Sequence, residues 1–173
     1  MERKESRNIV FIGMSTCGKS TIGALIAKEQ VMAFVDTDLL IEERYGKPLG
    51  QLLQESGTDK FLEQESDVLC SLAYSNACIS TGGSAVYSEQ AMTHLKRTAD
   101  VIYLNLSFSG IQQRLAAIDI KSRGIVASGG KSMLDVYNER KPLYERYADY
   151  TIEADDKSID ELAAEIVDLL NSR

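Results

Sequence analysis

Short, nearly continuous apolar runs alternate along the chain with longer stretches whose apolar positions return every three or four residues. The runs predict strands over 8–12, 32–36, 77–81, 100–106 and 150–153. Between them the helical period predicts helices over 19–29, 38–45, 48–55, 58–74, 88–96, 108–116, 132–147 and 158–171. Strands that are apolar throughout fit a sheet covered on both faces, and strict alternation with helices marks a parallel α/β sheet. Ser158 with Glu161 reads as a capping box, and Pro48 as a first-turn proline. In the last helix Ile159, Leu162, Ala163, Ile166, Leu169 and Leu170 form one apolar stripe, a packing face and nothing more. The stretch 118–131 breaks the pattern with Gly124, Gly129 and Gly130 among Lys121, Arg123 and Lys131, which predicts a mobile basic lid.

A length of 173 residues predicts one domain, 1–173. With 44% apolar residues, 26% charged residues and two prolines, the composition is that of a soluble globular protein. The net charge of −7 argues against nucleic-acid or anionic-membrane binding, so any anionic ligand must be met by a local cluster of donors. Three cysteines without a CxxC pair and a single histidine, His94, argue against structural zinc and against a histidine-based nucleophile. His94 is expected on a solvated helix face. The first apolar run spans only about six residues, too short for a signal segment or a membrane span, so the chain is expected to be cytoplasmic with reduced thiols.

Gly13-Met14-Ser15-Thr16-Cys17-Gly18-Lys19-Ser20 fits G-x-x-x-x-G-K-[ST] directly after a strand and at the start of a helix. In such a loop the backbone amides point inward and the helix offers its positive end to phosphate oxygens. Lys19 adds a point charge, and the Ser20 hydroxyl can ligate Mg²⁺. Asp36-Thr37-Asp38 closes the second predicted strand, where residues i and i+2 share a face, so both carboxylates are expected to project together beside the loop. One would hold the metal shell and the other orient a hydroxyl; the plainer role for Asp38 is to cap the next helix. Thr81-Gly82-Gly83-Ser84 places close-approaching backbone at the same sheet edge, or is a plain turn. Cys17, beside Lys19 at a helix N-terminus, is in surroundings that lower a thiol pKa, or is simply a small residue tolerated there.

Taken together, GMSTCGKST at 13–21, DTD at 36–38, TGGS at 81–84 and ERKPLYERYAD at 139–149 make the chain resemble the shikimate kinases. The resemblance implies a three-layer P-loop NTPase of the nucleoside-monophosphate-kinase-like fold. Its parts would be five parallel strands, a helical substrate-binding section at about 38–74 and a mobile lid at about 117–131. It implies ATP and Mg²⁺-dependent conversion of shikimate to shikimate 3-phosphate in aromatic amino acid biosynthesis, by a monomer. By position, the metal residues fall on Ser20 and Asp36, and the hydroxyl-orienting aspartate on Asp38. The substrate glycines fall on Gly82 and Gly83, the lid arginine on Arg123 and the substrate-carboxylate arginine on Arg140. Thr16, Cys17, Gly18, Lys19, Ser20 and Thr21 would contact ATP, with Arg114 stacking on adenine and Lys157 as a further nucleotide contact. Lys19, Asp38 and Arg123 would be catalytic.

Three positions depart from the family pattern. Leu62 stands where the family has an arginine, Ser84 where it has a third glycine, and Arg123-Gly124-Ile125-Val126 where the lid has Arg-Pro-Leu-Leu. Lys60 is turned about 100° per residue away from position 62 on a helix and does not replace the missing cation. The resemblance therefore leaves a related kinase for another hydroxy acid or amino acid, and an inactive nucleotide-binding module, as rival readings.

Overall fold

A computed structural model describes residues 7–116 and 130–172. At its centre is a five-stranded parallel sheet of β1 (Asn8–Ile12), β2 (Ala33–Asp36), β3 (Ala77–Ser80), β4 (Ala99–Asn105) and β5 (Tyr150–Glu153), in the order β2-β3-β1-β4-β5. All five residues of β1 are buried although alternate side chains leave opposite faces, so both faces of the sheet are covered. Helices α1 (Lys19–Glu29) and α8 (Ile159–Asn171) pack together, while α4 (Thr58–Cys70), α5 (Glu89–Thr98) and α7 (Met133–Tyr147) gather around a 3₁₀ turn, Ala85–Tyr87. The expected α/β layering holds.

Between β2 and β3 the chain forms α2 (Thr37–Tyr45), α3 (Leu49–Ser56) and α4, packed around a second cluster of Ile41, Leu49, Leu52, Phe61 and Val68. A short helix, α6 (Phe108–Leu115), follows β4. Because β1 lies between β3 and β4, successive connections leave it in opposite directions, and a crevice opens at the carboxyl ends of these strands.

Element boundaries depart from expectation where side chains cap the backbone. The fourth helix was expected to reach 74 but stops at Cys70, because Ser71 turns its hydroxyl onto the Val68 carbonyl and Asn76 adopts a left-handed φ of 57° to enter β3. Pro48 is the N-cap of α3 rather than its first-turn residue. His94 is not on a solvated face: it is half-buried, with Nε2 2.7 Å from the Leu72 carbonyl and Nδ1 3.0 Å from Arg97. The expected lid falls almost wholly on 117–129, outside the described residues, and Arg123 with it.

The Ser158–Glu161 capping box is formed as expected at the start of α8. Ser158→Ala should therefore lower the unfolding free energy by about 1 kcal/mol in a urea titration, with an unchanged m-value.

Candidate active site

Residue 13 ends β1 in a conformation few side chains adopt: Gly13 has φ 145°, and a methyl group there would stand 2.7 Å from the Leu104 carbonyl oxygen. The loop thus leaves the sheet in contact with β4, curls through Thr16 at φ 71° and enters α1 at Lys19. Lys19 is 7% exposed, and its ammonium donates to the carbonyls of Gly13 and Met14, each at 2.8 Å. With three donors on one nitrogen, it ties the loop together from inside. Arg114 of α6 donates to the Thr16 carbonyl at 3.0 Å, so it braces the loop and lines the same cleft.

For Cys17 the structure favours the plainer of the two sequence readings, a small residue tolerated in the loop. Its side chain is 0% exposed and lies beneath the loop, its sulfur 2.9 Å from where a methyl on Gly13 would stand. A reactive thiol needs access as well as positive neighbours, and here there is none.

Asp36 and Asp38 meet the cleft differently from the predicted strand pair. Asp36 ends β2 and caps α2, its Oδ1 accepting from the Asp38 amide at 3.0 Å, whereas Asp38 already belongs to the first turn. The cap that the sequence offered to Asp38 is therefore made by Asp36. The other Asp36 oxygen accepts from Ser20 Oγ at 2.8 Å, and Ser20 Oγ is 3.1 Å from Ser80 Oγ. Three elements, α1, β2 and β3, bring these oxygens together. Among the described residues no group of three or more His, Cys, Asp or Glu is placed to hold a metal. One carboxylate with one hydroxyl is the donor set that suits Mg²⁺, which completes its shell with water and phosphate oxygens.

Opposite the loop, Thr81 anchors the end of β3 to β1 through a hydroxyl bond to the Phe11 carbonyl at 2.9 Å. A methyl group on Gly82 would stand 2.7 Å from Glu65 Oε1 and 2.8 Å from Asp38 Oδ1; on Gly83 it would stand 2.9 Å from Arg140 Nη1. Two carboxyl groups and a guanidinium thus converge on backbone without side chains. Arg140 is 1% exposed, donates through Nε to the Tyr87 hydroxyl at 3.2 Å and lies over the Tyr87 ring. Tyr144 donates to the Gly83 carbonyl at 2.7 Å.

Sequence reasoning missed Glu65. It is 2% exposed and accepts a 2.7 Å bond from Ser84 Oγ, so the serine at the end of the TGGS segment has a partner. Burial pushes the Glu65 carboxyl up to about 7; the Ser84 bond opposes this, the Asp38 charge adds to it, and the Arg140 charge opposes it. A signal was present: Phe61, Glu65 and Leu69 recur every fourth residue on the buried side of α4, where an acid has no place without a partner.

The remaining expected residues lie as follows. Ser20, Thr21, Gly18, Asp38, Gly82 and Gly83 line one cleft of about 680 Å³. Lys157 is ion-paired with Glu165 and is not among the cleft-lining residues. Leu62 packs against the second apolar cluster, and Lys60 pairs with Glu63 in solvent.

Comparison with known proteins gives one consistent result. The family model for shikimate kinase matches residues 15–171. A protein of Vibrio campbellii named shikimate kinase is 35% identical over 173 residues, covering 98% of this chain and 99% of its own. The structure of Acinetobacter baumannii shikimate kinase in complex with shikimate superposes with a TM-score of 0.86 at 26% identity, covering 96% of this chain and 94% of that one. Shikimate kinase from Bacteroides thetaiotaomicron gives a TM-score of 0.81 at 30% identity, covering 95% and 98%.

Two outcomes are expected. Cys17 and Cys78 are buried and Cys70 is half-buried, so a thiol-counting reagent added to the native chain should react quickly with one thiol in three. Glu65 has a folded value above its unfolded one, so the native state binds the extra proton between about pH 4.5 and about 7. Wild-type stability relative to Glu65→Gln should therefore fall by up to about 3 kcal/mol as pH rises through that window and stay level above it, as read by denaturant titrations.

Proposed function

The chain belongs to the shikimate kinase family, so it is an ATP-dependent kinase that phosphorylates shikimate in aromatic amino acid biosynthesis, and we propose how its own residues divide that work. The observation that carries the proposal is the convergence of Asp38 and Arg140 on Gly82–Gly83, backbone that lines a cleft whose other wall is the phosphate loop; Asp38 lines that cleft too, whereas Arg140 lies buried behind the glycines.

The loop amides and the Lys19 ammonium bind the phosphates of ATP, with Thr16, Cys17, Gly18, Ser20 and Thr21 supplying the backbone and side chains of the cradle. Ser20 and Asp36 would hold Mg²⁺, which when bound offsets charge on the phosphate oxygens. Asp38 orients the attacking hydroxyl and accepts its proton as the new oxygen–phosphorus bond forms and the bond from the γ-phosphorus to the β,γ-bridging oxygen breaks, releasing ADP. Arg140, already oriented by Tyr87, takes the acceptor's carboxylate, for which a planar guanidinium is well shaped. Gly82 and Gly83 let the acceptor's ring lie against backbone. Arg114, which lines the cleft beside the loop, is assigned to adenine stacking, Lys157 to a peripheral nucleotide contact, and Arg123 to the transferring phosphoryl group. Three unpaired cysteines support a reducing, cytoplasmic setting, and no helix among the described residues is long and apolar enough to cross a membrane.

Coupled ADP release tests the assignment. Turnover should require shikimate, and Asp38→Asn and Lys19→Met should each lower kcat at least about 100-fold with ATP binding retained in Asp38→Asn. Arg140→Lys should instead act on the acceptor, raising its KM by about 30-fold or more. ATP turnover indifferent to shikimate, or a panel in which another hydroxy acid is strongly preferred, would reject the assignment.

A further inference from the structure

The phosphate loop and the acceptor wall are each fixed on their own side of the cleft. Lys19 holds the loop through the Met14 carbonyl at 2.8 Å, and Thr81 holds the wall to β1. Between these anchors the two segments touch. A methyl group on Gly83 would stand 3.3 Å from Ser15 Oγ and 3.4 Å from the Ser15 amide nitrogen, so the loop already rests against the glycine backbone and cannot close further.

A second contact acts in the opposite sense, holding the segments together. Tyr144 of α7 is fully buried, and its ring stacks on Tyr103 of β4 with centroids 5.1 Å apart. Stacking leaves the hydroxyl one place to go. There it donates to the Gly83 carbonyl at 2.7 Å and stands 3.7 Å from the sulfur of Met14, a buried residue of the phosphate loop. Arg140, one helical turn earlier on α7, donates to the same oxygen. One hydroxyl therefore meets the loop, the wall and the cation assigned to the acceptor. Burial keeps this phenol protonated, so it serves as a hydrogen-bonding group and not as an acid or base. A tyrosine present only to fill the core would be matched by phenylalanine; what phenylalanine lacks is this hydroxyl.

We propose that Tyr144 is a positioning residue whose hydroxyl sets the gap between the phosphate loop and the acceptor wall, and with it the distance that the γ-phosphoryl group crosses. The inference rests on the assignment of the acceptor to Asp38, Gly82 and Gly83. Transfer requires the attacking oxygen about 3 to 3.5 Å from phosphorus and in line with the leaving oxygen, and a displacement of about 1 Å costs roughly 100-fold in rate. Tyr144 is not among the residues lining the cleft, so it acts through Gly83 and Met14.

Steady-state kinetics of Tyr144→Phe test this. Its kcat should fall about 10- to 100-fold while KM for shikimate and for ATP stays within about twofold, and more ADP should be released per phosphate ester formed. Tyr103→Phe is the control for losing a buried tyrosine hydroxyl: that hydroxyl bonds Asn105 at 2.8 Å, away from the cleft, and kcat should hold. Met14→Leu, which removes the sulfur and leaves Tyr144 whole, should lower kcat by less, and adding it to Tyr144→Phe should cost nothing more. A kcat within about twofold of wild type in Tyr144→Phe, an equal loss in Tyr103→Phe, or a rise in KM for shikimate with kcat held overturns the proposal. Should Tyr144→Phe not fold, an unchanged kcat in Met14→Leu overturns it. If the wild type gives no turnover with shikimate, the functional assignment fails separately, and amide hydrogen exchange decides the tie. Exchange over 82–85 should be about tenfold faster in Tyr144→Phe and unchanged in Tyr103→Phe; equal exchange in wild type and Tyr144→Phe overturns it.

Discussion

The acceptor wall depends on one steric fact: two residues after β3 have no side chains. Asp38, Glu65 and Arg140 reach Gly82 and Gly83 from three different helices, each to a distance at which a methyl group would have to displace a polar side-chain atom. That approach is possible because Thr81 fastens the end of β3 to Phe11 of β1, which sets the height of the following turn against the phosphate loop. Acceptor and donor sites are thus held in register by the central strand pair. Neither site can shift along the sheet without breaking that bond.

The same approach creates an electrostatic problem that the surrounding side chains solve unequally. Arg140 is almost wholly withdrawn from water, but it keeps a hydrogen bond and a ring face from Tyr87. Glu65 has a single hydroxyl donor and a neighbouring carboxylate, a weaker settlement that favours its neutral form. A buried ion pair is stable only when its remaining hydrogen-bonding capacity is met. Arg140 meets that condition better than Glu65 does, and it is the charge of Glu65 that burial disfavours.

Much of this was legible in the residues. The nucleotide side lies within one short segment, 13–21, whose glycines and Lys-Ser pair carry a local geometric meaning, and the strand and helix periods on either side agreed with it. The acceptor side was legible only in part. Asp38, Gly82, Gly83 and Arg140 were reached through motif resemblance, but Glu65, Tyr87 and Tyr144 become neighbours only when α4, the 3₁₀ turn and α7 pack together. The capping of α2 by Asp36 was misread, and the burial of Cys17 was left open between two readings, for a similar reason. Both depend on where the chain bends, Asp36 at a strand end and Cys17 behind Gly13, and periodicity does not report bends.

The placement of β2 has a further consequence. It is an edge strand of four residues, hydrogen-bonded to β3 alone, and its first two residues are exposed, yet it ends in Asp36 and leads directly to Asp38. The phosphate loop instead grows from β1, buried and paired on both sides. Local opening should therefore begin at β2, with its amides exchanging with solvent well before those of β1. On the residue roles proposed above, a chain frayed in this way would keep its nucleotide cradle and lose Asp36 and Asp38, so partial unfolding would uncouple ATP capture from phosphoryl transfer.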